Sequence, residues 1–322
     1  MEEKLVNILN EMAEVLNIAQ MKKLQEVLLK NLSESEIPDR QIDNWEYLQL
    51  FLDAKKIEGC SQRTLQYYRT TIEKLLNTIT DPIRKINTEC IRSYLSEYQK
   101  INNCSNVTVD NIRRNISSFF SWLEEEDYIL KSPMRRIHKI KTKQQVKEII
   151  SDEAIERLRD HCSCPRDLAM IDLLYSTGIR VGELVNLNIK DINFEARECV
   201  VFGKGDKERR VYFDAKAKLH LQDYLETRSD DNPALFVTLD APHDRLKISG
   251  VEIRIRELGR RLNLNKIHPH KFRRTMATRA IDKGMPIEQV QKILGHSQID
   301  TTMQYAIVNQ NNVKLSHQRY IG

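Results

Sequence analysis

Apolar residues recur along most of the chain at the three- and four-residue spacing of amphipathic helices, and strand-like runs are confined to residues 188–213. Near the start, Leu5, Ile8, Leu9, Met12, Leu16, Leu24, Leu28 and Leu32 trace one apolar stripe. Residues 1–32 therefore read as one or two amphipathic helices, which either pack on their own domain or serve self-association. Residues 33–40, with Ser35, Pro38 and Asp39, read as a turn or linker. From 41 to 128 the pattern is helical throughout and predicts helices over 44–56, 61–77, 87–100 and 105–126, a small four-helix unit. Ser61 and Asn87 stand where N-caps belong, because their side-chain oxygens can take an orphan N–H of the first turn.

Past residue 148 the helical pattern resumes in shorter pieces. Ser151 caps a helix to about residue 161, Pro165 opens an apolar one through Leu168, Met170, Ile171, Leu173, Leu174 and Tyr175, and Gly178 stops it. Arg180 then begins a helix over 181–187, whose Glu183 can fix its guanidinium. Strand-like runs follow at 188–194, 198–202 and 209–213; a Gly203-Lys204-Gly205-Asp206 turn joins the last two and puts Lys204 at a hairpin tip. Helices return over 215–228 and 248–262, with Asn232-Pro233 and Ala241-Pro242 marking loops. Between His268 and Tyr305, three short helices are separated by Gly284-Met285-Pro286 and Gly295-His296-Ser297, with Asp300 as N-cap of the last. The expected fold is mainly α with a small antiparallel β-sheet.

Composition narrows this picture. A length of 322 residues with 40% hydrophobic content suits two ordinary cores. There is no run of eighteen apolar residues and no charged-then-apolar leader, so a soluble, cytoplasmic protein with no membrane partner is expected. The cysteines at 60, 90, 104, 162, 164 and 199 are scattered, and Cys162-Ser163-Cys164 lacks a second pair at zinc-binding spacing, so reduced thiols and no metal are expected.

A net charge of +5 is mild, and its distribution says more than its sum. Lys131, Arg135, Arg136, Lys139, Lys141, Lys143 and Lys147 follow one another with no acidic residue between them and with Pro133 near the start. Such a run is a linker suited to lying along DNA, or else merely solvated. If half of these cations met phosphates, the salt dependence of binding would steepen by roughly three units, at ~0.9 per phosphate. Earlier, Thr64, Tyr67, Tyr68 and Arg69, then Asn111, Arg113, Arg114 and Asn115, mix basic, amide and aromatic groups along helix faces. They can hold phosphates and read groove edges, or form a solvated face over a tyrosine core.

The candidate chemistry lies near the carboxyl end. His270 and Arg273 are three residues apart on one helix face, His296 sits at a glycine stop, and Tyr305 follows nine residues later. A guanidinium fork, two imidazoles and a phenol suit an oxyanion attacked by a hydroxyl, with phosphate the obvious case. Singly, each residue is as readily a cap or a packing group. The Gly203-Lys204-Gly205 string is not a phosphate-binding P-loop, since the spaced first glycine and a following helix are missing. No dinucleotide fingerprint, metal-ligand cluster or Gly-x-Ser-x-Gly elbow appears.

Order and spacing of these residues resemble the tyrosine recombinases, the phage-integrase and Xer-like family. His270-Lys271-Phe272-Arg273 looks like the H-x-x-R box of that family, Leu294-Gly295-His296 its L-G-H box, and Tyr305 its nucleophile. Ser176-Thr177-Gly178-Ile179-Arg180-Val181-Gly182-Glu183-Leu184 looks like its first-arginine box, and Gly203-Lys204-Gly205-Asp206-Lys207-Glu208-Arg209 like the hairpin with its catalytic lysine. The likeness runs from about Trp45 to Val308; one departure is Arg274, where the family often has histidine, which adds a candidate phosphate contact.

The resemblance implies a two-domain C-shaped clamp: an extension over 1–40, a SAM-like core-binding domain over 41–130, the basic linker over 131–147, and a catalytic domain over 148–322 with a tail from 306. It implies that Arg180 and Arg273 clamp the phosphate, Lys204 protonates the departing 5′ oxygen, and Tyr305 attacks with His270 as base and His296 as a donor to the phosphate. A 3′-phosphotyrosyl ester would form without cofactor, metal or ATP. Lys207 and Arg209 join the implied DNA contacts. The implied partners are double-stranded DNA with paired recombination sites, further copies of the chain in a tetramer built through the tail or the amino-terminal helix, and an accessory DNA-bending or directionality factor. About forty residues before the core-binding unit favour an integrase or invertase of a mobile or phase-variable element over a Xer-like dimer resolvase. A type IB topoisomerase and a catalytically silent DNA-binding regulator are the remaining alternatives.

Overall fold

The computed structural model describes residues 8–12, 15–33, 42–142, 148–203, 208–264, 266–305 and 321. The chain divides into two compact units, Met1–Gln144 and Gln145–Gly322.

In the first unit the helical stripes condense into α1 (Ile18–Ser33), α2 (Asn44–Ile57), α3 (Gln62–Thr78), α4 (Thr88–Asn102) and α5 (Asn106–Glu125). Three starts are fixed by capping: Ser61 Oγ accepts from Thr64 N–H, Asn87 Oδ1 from Glu89 and Cys90 N–H, and Ser105 Oγ from Thr108 N–H. Phe51, Ile72, Leu75, Ile91, Ile116, Phe119, Phe120 and Leu123 close the core between α2 and α5. Phe51 meets Phe119 edge-on at 5.3 Å and Tyr68 at 5.2 Å. Burying one such ring stabilises the unit by about 2–3 kcal/mol. None of the described side chains of α1 is buried.

The segment expected as a free basic linker over 131–147 is in part a packed element. Pro133–Arg136 form a short 3-10 turn, Met134 is 4% exposed, and Ile137 and Ile140 pack against the same core. Asp110 accepts from Ile140 N–H at 3.0 Å, and Asn106 Nδ2 donates to the Lys141 carbonyl at 3.2 Å. The basic residues hid an apolar set, Met134, Ile137 and Ile140, at the three-residue spacing that lets a chain bury one side.

The second unit contains α6 (Asp152–Asp160), α7 (Pro165–Thr177), α8 (Val181–Asn186), β1 (Ile192–Asn193), β2 (Glu198–Phe202), β3 (Glu208–Tyr212), α9 (Ala215–Glu226), α10 (Ile248–Arg261), α11 (Pro269–Asp282), α12 (Ile287–Leu294) and α13 (Ile299–Met303). Apolar α7 is nearly all buried and packs on α9 and α11. The strands form an antiparallel sheet in the order β1-β2-β3, with Glu198 opposite Tyr212 and Phe202 opposite Glu208. The fold is mainly α with a small antiparallel sheet.

Two expectations change. The strand over 188–194 shrinks to Ile192–Asn193, because Asp191 Oδ2 captures the Asn188 N–H at 2.8 Å and closes a 3-10 turn over Ile189–Asp191. Helix α13 starts at Ile299 with Gln298 at the N-cap, so Asp300 lies inside the first turn, where its charge still favours the helix dipole. All six cysteines are free, and burial pushes the Cys162 thiol up to about 12, which keeps it protonated and unreactive. Among the described residues no helix is long and apolar enough to cross a membrane.

Candidate active site

Gly178 ends α7 at φ 64°, in the left-handed region that favours glycine, and a Cβ there would have to displace the Met276 Cε methyl 2.2 Å away. That turn delivers Arg180 to the N-cap of α8. Its backbone N–H reaches Glu183 Oε2 at 2.7 Å, its Nη1 reaches Glu183 Oε1 at 2.9 Å, and its Nη2 reaches the Gly295 carbonyl at 3.3 Å. The Arg180 side chain is 41% exposed, so its fork still faces solvent.

Arg273, on α11, is 1% exposed. Its Nη1 donates to the Gly178 carbonyl and its Nη2 to the Leu294 carbonyl, both at 2.6 Å, and Nη2 also lies 3.0 Å from His296 Nε2. Burial, then the neighbouring Arg180 charge, bring its pKa down to about 10, which leaves it a cation at neutral pH.

His296 follows Gly295, which takes φ 63° as the left-handed stop of α12. Burial and then the charges of Arg273 and Arg180 press the imidazole down to about 4, so it is neutral at pH 7. Arg273 can only donate, so Nε2 accepts and the proton sits on Nδ1, which donates to Thr302 Oγ1 at 2.8 Å. In the free protein His296 Nε2 therefore receives Arg273. Thr302 is fully buried and holds this tautomer, and nothing in its sequence context marked it.

Tyr305 is 8% exposed, packed with Ala277, Val290 and Leu294, its ring 6.0 Å from that of His296 at 29°. His270 is exposed on the first turn of α11, its ring parallel to that of His268 with 6.5 Å between centroids. Arg180, Arg273, His296 and Tyr305 thus form one connected group with His270 at its edge. Lys204, Lys143, Lys207 and the tail over 306–320 lie outside the described residues.

Several expected DNA contacts are engaged within the protein. Arg209 is 12% exposed and places Nη1 and Nη2 on Glu183 at 2.7 and 2.8 Å and Nε on the Ile293 carbonyl at 2.8 Å. Burial alone would raise the Glu183 carboxyl, but hydrogen bonds from Arg209 and the Arg180 backbone outweigh it and hold the group below the usual carboxylate range. Arg113, also 12% exposed, is paired with Asp110 at 2.8 Å. Tyr68 packs on Phe51 as a core ring. Arg135 bridges to Glu124 at 2.5 Å, Arg69 leans on Gln49 and Glu73, and Arg274 donates to the Glu148 carbonyl. Arg114 bonds to Asn111, with its side chain 64% exposed. Tyr67, Arg136, Lys139 and Lys141 are exposed, and Thr64 lines a shallow groove at the start of α3 with Tyr67.

Comparison with known proteins agrees with this geometry. The model of the "Phage integrase family" matches residues 142–312, and that of the "Phage integrase, N-terminal SAM-like domain" matches residues 47–130. The Tyrosine recombinase XerC of Thermodesulfovibrio yellowstonii is 31% identical over 277 residues, covering 82% of this chain and 92% of that protein. The XerC of Oceanobacillus iheyensis is 28% identical over 290 residues, covering 85% of this chain and 95% of that protein. The Tn1549 transposon integrase, solved with a circular intermediate DNA, shares the fold at a TM-score of 0.71 and 19% identity, covering 85% of this chain and 98% of that one.

Proposed function

This chain belongs to the phage integrase family of tyrosine recombinases, and on that premise we propose that Tyr305, Arg180, Arg273, His270, His296 and Lys204 are its strand-cleavage machinery. It is a site-specific DNA recombinase, which cuts and rejoins DNA strands by transesterification. The observation that carries the residue assignment is the network joining Arg180, Arg273, His296 and Tyr305 through the Gly178 and Gly295 turns.

Tyr305 Oη attacks the scissile phosphorus and loses its proton to His270, while the 5′ oxygen leaves with a proton from Lys204. Arg180 and Arg273 neutralise the non-bridging oxygens, and both forks are held by hydrogen bonds before DNA arrives. His296 orients the Arg273 fork in the free protein. Burial and then the neighbouring guanidinium charges keep the imidazole neutral; a phosphate brought beside it offsets those charges, and the protonated ring then donates to it. The product is a 3′-phosphotyrosyl ester and a free 5′ hydroxyl. Because the ester keeps the bond energy, a hydroxyl from another strand can reverse the step without ATP.

Two duplexes exchanging strands call for four active sites, so the recombinase acts as a tetramer on paired sites, held through the segment after Tyr305. Deleting residues 310–322 should abolish assembly on DNA while leaving single-site binding; intact assembly would refute that part. Integration or inversion of a mobile or phase-variable element is one reading of its biological role. The curated relatives named XerC favour a Xer-like resolvase instead. Sequencing across the flanking DNA for excised circles or inverted junctions that depend on Tyr305 separates the two.

The chemistry is tested with nicked suicide duplexes incubated without metal or ATP and resolved under denaturing conditions. A covalent protein–DNA band is expected with the parent chain and none with Tyr305→Phe, which should still bind DNA. Equal bands from both would remove Tyr305 from the mechanism.

A further inference from the structure

Glu183 is the pivot of an arrangement that the cleavage chemistry above leaves unused. Its Oε1 receives Arg180 Nη1 at 2.9 Å and Arg209 Nη1 at 2.7 Å, while its Oε2 receives the Arg180 backbone N–H at 2.7 Å and Arg209 Nη2 at 2.8 Å. The third nitrogen of Arg209, Nε, donates to the Ile293 carbonyl at 2.8 Å. Ile293 stands in the last turn of α12, and two residues later the Gly295 carbonyl accepts from Arg180 Nη2. A single guanidinium thus ties β3, the Arg180 turn and the Leu294-Gly295-His296 turn together.

The approach is close. A Cβ on Gly295 would lie 2.9 Å from Arg209 Cδ and 3.0 Å from its Nε. A third cation beside Arg180 and Arg273 costs repulsion, and a buried ion pair is seldom more stabilising than an apolar replacement of similar size. Its geometric effect is what the arrangement offers: a planar fork with three engaged nitrogens fixes direction as well as distance, which an ammonium cannot do.

We propose that Arg209 is a positioning residue for strand cleavage: through Glu183 and the Ile293 carbonyl it holds the Arg180 fork and the His296 turn in register, so that both meet the same phosphate. This rests on the assignment of Arg180 and His296 to the cleavage site. Without Arg209, β3 keeps its pairing with β2 from Glu208 to Tyr212, so the strand that follows Lys204 retains its own anchorage. Glu183 keeps its hydrogen bonds from Arg180 but loses both from Arg209, and the Ile293 carbonyl loses the Arg209 Nε that links it to them.

The test compares Arg209→Ala and Arg209→Lys with the parent chain on suicide duplexes, reading DNA affinity and the single-turnover rate of covalent-complex formation. Two substrates are used, one with the natural 5′ oxygen and one with a 5′-bridging phosphorothiolate, whose sulfur leaves without needing a proton donor. Affinity should stay within about twofold of the parent while the cleavage rate of Arg209→Ala falls by about 100-fold on both substrates. Arg209→Lys should lose rate as well, since one ammonium cannot span two carboxylate oxygens and a carbonyl, and it serves with the same readouts where the alanine variant does not fold. A rate within about threefold of the parent would overturn the proposal. So would a defect erased by the phosphorothiolate, which would locate the effect at the proton donor, or a fall in affinity matching the fall in rate, which would make Arg209 a DNA-binding residue. A parent chain that forms no covalent complex would instead strike the Tyr305 assignment, a separate outcome.

Discussion

On the proposed assignment, Arg273 and His296 prepare the reaction from buried positions. The guanidinium is held by the Gly178 and Leu294 carbonyls and by His296, which on that assignment would leave little reorganisation for the moment of attack. Arg273→Lys keeps the charge but cannot reach all three partners, and single-turnover cleavage should fall by about 100-fold or more. The depressed imidazole has its own signature. An unfolded histidine takes a proton as pH falls through 6.5, whereas this one waits until about 4. Between those values the unfolded chain binds more protons, so stability falls as pH falls through that window. The drop in melting temperature between pH 6.5 and 4 should therefore be smaller for His296→Gln than for the parent. An equal drop would mean that His296 is not held neutral.

At the scale of elements, the turns that end α7 and α12 carry the site and the capped helices carry the fold. Gly178→Ala places a methyl 2.2 Å from Met276 Cε at φ 64°. Such a change should cost about 1–3 kcal/mol in urea unfolding, and it should also slow cleavage, since the Gly178 carbonyl holds Arg273. The segment after α5 makes a sharper case. A free linker would tolerate Met134→Ala without effect, whereas a side chain 4% exposed against the first core should cost about 2–5 kcal/mol. Urea midpoints of the two proteins decide between them. The capping oxygens of Ser61, Asn87 and Ser151 were legible in the sequence because a cap is a local contact between neighbours. Burial of Met134 was not legible, because it depends on a partner far along the chain.

For the whole molecule, the number of basic residues overstates the number available to DNA. Arg113 and Arg209 are sealed in ion pairs with Asp110 and Glu183, while Lys139 and Lys141 are exposed. Replacing Lys139 and Lys141 with glutamine should reduce the slope of log affinity against log salt by ~0.9 for each phosphate that is no longer neutralised. Arg113→Gln should leave that slope unchanged and lower the melting temperature, because it removes the nearer of two arginines paired with a carboxylate that is 9% exposed. Measuring binding across a range of salt concentrations, together with the melting temperatures, tests both expectations.

By itself the sequence determined the helical periodicity, the caps, the glycine stops and the order of Arg180, Lys204, His270, Arg273, His296 and Tyr305 along the chain. These are local properties: they follow from spacing, φ preference and side-chain chemistry within a few residues of one another. Only the tertiary structure decided which cations face solvent and which are enclosed, that His296 accepts from Arg273 and donates a hydrogen bond to Thr302, and that Arg209 grips Glu183 rather than reaching for DNA. A guanidinium looks the same in a sequence whether it meets a phosphate or a buried carboxylate. The partner that distinguishes the two is brought near only when distant segments pack: Glu183 and Arg209 are 26 residues apart, and Gly178 and Arg273 are 95.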